Sequence, residues 1–171
     1  MSAPFYLVPV VAAVLAAADE APTKWSEHKS DTGRYTVRMP GTVKTGSMPL
    51  PIPGANVTMY YALVESKDHA YMVAYADLPG GGPFDYDAAV KAMAKTWGGT
   101  VNYQKKVKVG GLDGVEFEAK VTKPATGHAT GRLFLHKGRL YEVLALGTKI
   151  RASSKDVKMF WDSFKVTDEK K

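Results

Sequence analysis

The sequence predicts an α+β domain, a mainly antiparallel twisted sheet of about seven strands covered by helices. Three observations predict it. Stretches in which apolar and polar residues alternate recur from Tyr35 to Gly147, and short turn-forming segments join most of them. Two other stretches, 85–97 and 153–164, instead repeat their apolar residues at helical spacing, each with one face to bury. The chain has 45% hydrophobic and 23% charged residues and no cysteine, so a packed core rather than disulfides must hold it together.

From Phe5 to Ala18 the chain carries no charge, and its first charged side chain is Asp19. This run is shorter than the roughly 20 apolar residues a membrane span needs, and it ends in small alanines before a polar segment. It reads as a secretory signal peptide over residues 1–18. The expectation is therefore an exported protein, periplasmic or extracellular, with a mature start near Asp19 and no transmembrane helix after cleavage. Residues 19–33 are polar apart from Trp25 and read as a linker whose tryptophan docks back on the body. Residues 34–167 are expected to form a single domain, and 168–171 a charged tail.

Within 34–167 each element has its own signal. Tyr35, Val37 and Met39 alternate with Thr36 and Arg38 as in a half-buried strand, which Pro40-Gly41 stops. Pro49, Pro51 and Pro53 stand two apart, which predicts a polyproline-like surface loop. Val57 to Glu65 and His69 to Leu78 are rich in Val, Tyr and Met and should pair as a hairpin across Ser66-Lys67-Asp68. After Gly80-Gly81-Gly82-Pro83, Asp85 is placed to cap a helix running to Trp97, with Tyr86, Ala89, Val90, Met93, Ala94 and Trp97 on one face. Gly98-Gly99 ends it. Four strand patterns follow, 101–109, 115–122, 130–136 and 140–147. Their joints carry Gly110-Gly111 with Asp113-Gly114, then Gly127, then Lys137-Gly138, so they form an antiparallel meander. Ser153 or Ser154 caps a last helix with Val157, Phe160, Trp161 and Phe164 inward.

This order of elements, with Met39-Pro40-Gly41, Gly111-Leu112-Asp113-Gly114-Val115-Glu116-Phe117, Arg132 to Phe134, Arg139 to Val143 and Phe160 to Phe164, resembles bacterial exported members of the Mog1/PsbP-like superfamily. The resemblance covers most of Trp25 to Val166. It implies an α-β-α sandwich and a binding or assembly accessory role. It brings no catalytic motif.

The residues themselves point the same way. Of the four histidines, none lies at a metal-ligand spacing; His28 falls in the linker, His69 in a turn, and His128 and His136 flank one strand. Glu116 and Glu118 share a strand face opposite Val115 and Phe117, which reads as a solvated face, and Asp85 and Asp87 suit a helix start. The triple glycine before the first helix lacks the Gly-Lys-Ser/Thr ending of a phosphate loop and reads as a flexible connection. No catalytic, cofactor-binding or metal residue is assigned. The net charge of +6 favours an anionic surface, but no nucleic-acid module is present. Lys106 and Lys108 share a strand face, where they would pair with Glu116 or Glu118 or join Arg132 and Arg139 in a patch for an anionic partner. Tyr60 and Tyr61 point to opposite sheet faces, so at least one of them points away from the helix-covered side or onto a second layer, and a tyrosine left exposed there can bind a ligand or partner. The binding residues expected are therefore Lys106, Lys108, Arg132, Arg139 and Tyr60. The function expected is a non-catalytic accessory that engages a protein partner in the cell envelope. The alternatives are a small-ligand carrier with a pocket between the sheet and the helix 85–97, and a metal-dependent hydrolase built on His128, His136 and nearby acids.

Overall fold

The computed structural model describes residues 24–167 apart from 53, 81–82 and 124–125. The expected signal peptide and charged tail lie outside the described residues. The chain is α+β and mainly antiparallel, as its alternation predicts. Strands β1 (Trp25–Ser30) and β2 (Tyr35–Pro40) form a hairpin, followed by β3 (Lys44–Ile52), β4 (Ala55–Glu65), β5 (His69–Asp77) and helix α1 (Tyr86–Thr96). Then come β6 (Thr100–Val109), β7 (Leu112–Val121), β8 (Gly127–His136), β9 (Arg139–Gly147), helix α2 (Lys155–Ser163) and a two-residue β10 (Lys165–Val166).

The strands make two sheets instead of one: seven strands in the order β3-β4-β5-β9-β8-β7-β6, and three in the order β1-β2-β10. Because side chains alternate along each strand, the large sheet buries both faces. One face holds Met59, Leu63, Met72, Phe117, Leu133 and Leu144 against Val90 and Met93 of α1 and Trp97 at its C-cap. The other holds Ala62, Val73, Tyr75, Phe134, Tyr141 and Val143 against Tyr35, Val37 and Met39 of the small sheet and Val157, Phe160 and Trp161 of α2.

Local chemistry sets the boundaries. The Asp85 carboxylate accepts from the Ala88 amide at 2.9 Å and starts α1. Gly98, at φ 63°, donates to Lys95 O at 3.0 Å and closes it. Gly110 and Gly111, at φ 58° and 83°, supply the tight β6–β7 turn. Ser154 precedes α2 as expected, but its hydroxyl turns back to accept from the Arg151 amide at 3.1 Å.

Several expectations need correction. Residues 25–30, read as linker, are strand β1, which pairs residue for residue with β2 from Trp25↔Pro40 to Ser30↔Tyr35. Trp25 does dock back, edge-on to Tyr71 at 5.4 Å between ring centroids. Pro49 and Pro51 stand not in a loop but in the edge strand β3, paired with β4 without a break, and Pro53 lies outside the described residues. On an edge, every second residue turns its N–H away from the partner, so prolines two apart can all occupy the outward positions at no cost to the ladder. Asp113 and Gly114 belong to β7 rather than to its turn.

Candidate functional site

The β1–β2 hairpin lies over one end of the large sheet and leaves an open cleft of about 490 Å³ beside it. Its walls come from β1 and the following turn (His28 to Thr32) and from β3 (Thr45 to Ser47), with Tyr60 and Tyr75 between them. The floor is a row running across the sheet. Tyr60 stands opposite Tyr75, and their rings stack at 5.3 Å with planes 21° apart. The Arg139 guanidinium lies 4.9 Å from the Tyr75 ring centre. On the outer side Tyr60 faces Ser47, whose small side chain leaves that ring 46% exposed.

The row is fixed from behind. Arg139 grips both oxygens of Asp77, at 2.7 and 2.8 Å, and donates to Thr32 O at 2.7 Å. The Tyr75 hydroxyl donates to Thr32 Oγ1 at 3.0 Å, and the buried Tyr141 hydroxyl to Gly33 O at 2.9 Å. Three side chains of the large sheet thus pin the β1–β2 turn. Hydrogen bonding to Arg139 holds the Asp77 carboxyl below its ordinary pKa, despite some burial. Burial lowers the pKa of His28, which favours its neutral form, and raises that of the Tyr35 phenol. Lys29 and Asp31 pair at 2.7 Å and offset each other's charge.

The five residues expected to bind do not form one patch. Lys106 stands opposite Val115, on the α1 face of edge strand β6, and Lys108 opposite Asp113, with which it pairs at 3.5 Å. Arg132 is on the other face, its guanidinium 4.6 Å from the Trp161 ring and 2.9 Å from Glu116. Arg139 lies behind the cleft against Tyr75, its charge met by Asp77. Tyr60 alone of the five offers an exposed surface there. The lysine that pairs with Glu116 is Lys105, at 3.2 Å, because the two-residue Gly110-Gly111 turn places Val109 opposite Leu112 and so, in unbroken register, Lys105 opposite Glu116.

The two glutamates are not a solvated face. Glu116 is buried; burial works to raise its pKa, but hydrogen bonds from Arg132 and Lys105 outweigh it and lower the value. Glu118 accepts from the Ala152 amide at 2.7 Å and steadies the approach to α2. His128 and His136 occupy opposite ends of β8, eight residues and so about 26 Å apart, too far to share an ion. Among the described residues no group of three or more His, Asp or Glu could hold a metal. A second cleft, of about 370 Å³, lies between the β6–β7 turn and the Phe164–Val166 segment. Sequence reasoning missed Ser30 at the end of β1, the turn residues Asp31 and Thr32 and the β3 residues Thr45 and Ser47, since their segments were read as linker and as outside any strand.

The architecture now has a match. A solved structure of cyanobacterial PsbP (CyanoP) from Synechocystis sp. PCC 6803 superposes with a TM-score of 0.59, at 12% identity, over 88% of this chain and 97% of that one. The fold is PsbP-like. A Pseudomonas aeruginosa protein of unknown function, PA94, described as a putative regulator, aligns over 73% of this chain and 83% of its own at 12% identity and a TM-score of 0.40, which adds nothing to the assignment. No family model matches the sequence, and no curated protein does. Among the described residues of this PsbP-like chain, no helix is long and apolar enough to cross a membrane.

Proposed function

We propose that this chain is an exported, non-catalytic binding protein that serves as an accessory in the cell envelope and holds its ligand or partner in the aromatic cleft. The observation that carries the reading is Tyr60, a ring left 46% exposed while stacked on a buried, multiply anchored neighbour. Most exposed side chains are free to move. An aromatic ring held in one orientation over an open cleft has already lost the freedom that binding would otherwise cost. Cleft chemistry supports binding over catalysis. Its acid, Asp31, is held by Lys29 at 2.7 Å, and its aromatic floor offers a plate for contact.

A carrier pocket under α1 has less support, because Ala89, Val90, Met93, Ala94 and Trp97 fill that interface at 2% exposure or less. The test is co-purification of the tagged full-length chain from its own host, with mass spectrometry of its N-terminus and of what accompanies it. A start near Asp19 with a stoichiometric companion is the expected result. An intact Met1 with nothing bound would overturn both export and the accessory role.

A further inference from the structure

We propose that the cleft is a saccharide-binding site in which a pyranose ring packs its C–H face on the free face of Tyr60. The proposal rests on the cleft being the working surface and names what it takes.

The geometry asks for a ring. Stacking continues from Arg139 through Tyr75 to Tyr60 and then stops above Ser47, where the next position in the row is open. A tyrosine ring is an apolar plate with a polar tip, and a sugar matches it with a face of C–H groups and a rim of hydroxyls. The cleft supplies partners for that rim. Thr45 and Ser47 line one side, and Ser30, Asp31 and Thr32 the other. Thr32 already accepts from the Tyr75 hydroxyl at 3.0 Å, which leaves its own hydroxyl proton to donate outward, while Ser30 accepts from the Gly33 amide at 3.0 Å and bonds the Tyr35 phenol.

Charge and edge geometry discriminate between ligands. The Lys29 ammonium is met by Asp31 and the Arg139 guanidinium by Asp77, so the cleft offers no uncompensated cation to a phosphate or nucleotide. An extended peptide would add to the open edge of β3, but Pro49 continues that edge just beyond Ser47 and has no N–H to give. A volume of about 490 Å³ lies within the roughly 300–1,000 Å³ of small-ligand sites.

The test is titration of the full chain with chitotetraose, cellotetraose and maltotetraose, followed by amide chemical shifts. At least one of these neutral oligosaccharides should move Ser30–Thr32, Thr45–Ser47 and Tyr60 together. Tyr60→Ala should weaken that binding by about tenfold or more at unchanged melting temperature. Ser47→Tyr, which covers the free ring face while leaving Tyr60 itself in place, should block it as well. Shifts scattered over the surface and unaffected by either variant would overturn the proposal, as would no shift with any of the three. If the sugars fail while a co-purified protein protects the same residues, the saccharide class falls and the binding reading stands. If neither engages the cleft, both fall.

Discussion

Replacing Glu142 with glutamine should stabilise the protein at neutral pH and flatten its pH dependence. Glu142 sits in the middle of β9, opposite Ala74 and Leu133, 3% exposed, and its Oε1 has no hydrogen-bond partner. Burial pushes its pKa from 4.5 up to about 8. Between those values the folded chain keeps a proton that the unfolded chain releases, so stability falls as pH rises through that window. At about 1.4 kcal/mol per pH unit, holding the carboxyl neutral costs about 3 kcal/mol at pH 7 and about 1 kcal/mol at pH 5. Glutamine is close in size and neutral at both. Urea unfolding of both proteins at pH 5 and pH 7 measures the effect. The advantage of Glu142→Gln should grow by about 2 kcal/mol between the two conditions. Equal changes in both proteins would refute the reasoning, because Glu142 would then be ionised, paired or hydrated in the fold.

Four further outcomes follow from the same geometry. Arg139→Gln removes the grip on Asp77 and Thr32. Since the Asp77 side chain is 70% exposed, the loss should be about 1 kcal/mol, but amide exchange at Thr32 and Gly33 should rise because the turn is no longer pinned. The Asp77–Arg139 pair stabilises the fold above the ordinary aspartate pKa and should be lost only as pH falls through the lowered folded value; a carboxyl titration by NMR with its midpoint at or above 3.8 would contradict this. Trp161→Phe deletes the Nε1–H bond to the buried Val143 O at 3.2 Å and thins the stack under Arg132, at a cost of about 1–3 kcal/mol in chemical unfolding. Asp85→Ala strips the α1 cap and should cost about 1 kcal/mol, read from the thermal midpoint.

Where a segment's own pattern decided its state, the sequence was readable. Alternation in Tyr35-Val37-Met39 and the heptad-like spacing of Val90, Met93 and Trp97 report burial directly, and those residues are all 1% exposed or less. The PsbP-like order of elements was legible for the same reason. What stayed hidden depends on neighbours distant in the chain. β1 has no apolar alternation of its own and is a strand because β2 offers it a partner. β3 carries prolines that forbid a central strand but not an edge, and nothing local says which strand will be the edge. Glu116 looked solvated because its cover comes from Arg132, sixteen residues on, and from Lys105, directly opposite it on β6. The cleft draws on five strands and a turn, so only Tyr60 was visible as a candidate, through the opposite orientation of Tyr60 and Tyr61. Arg139 was visible as a charge. Its work in anchoring the turn could not be read without Asp77 and Thr32 beside it.

Hydroxyl-radical footprinting of the protein, with and without the envelope fraction of its host, tests the central claim most directly. Tyr60, 46% exposed in the cleft, and Tyr103, 37% exposed on the far edge strand β6, report on two separate surfaces in one experiment. Binding through the cleft predicts that the envelope fraction protects Tyr60 and leaves the oxidation of Tyr103 unchanged. Protection of Tyr103 with Tyr60 still fully reactive would contradict the account and move the working surface to the opposite edge of the sheet.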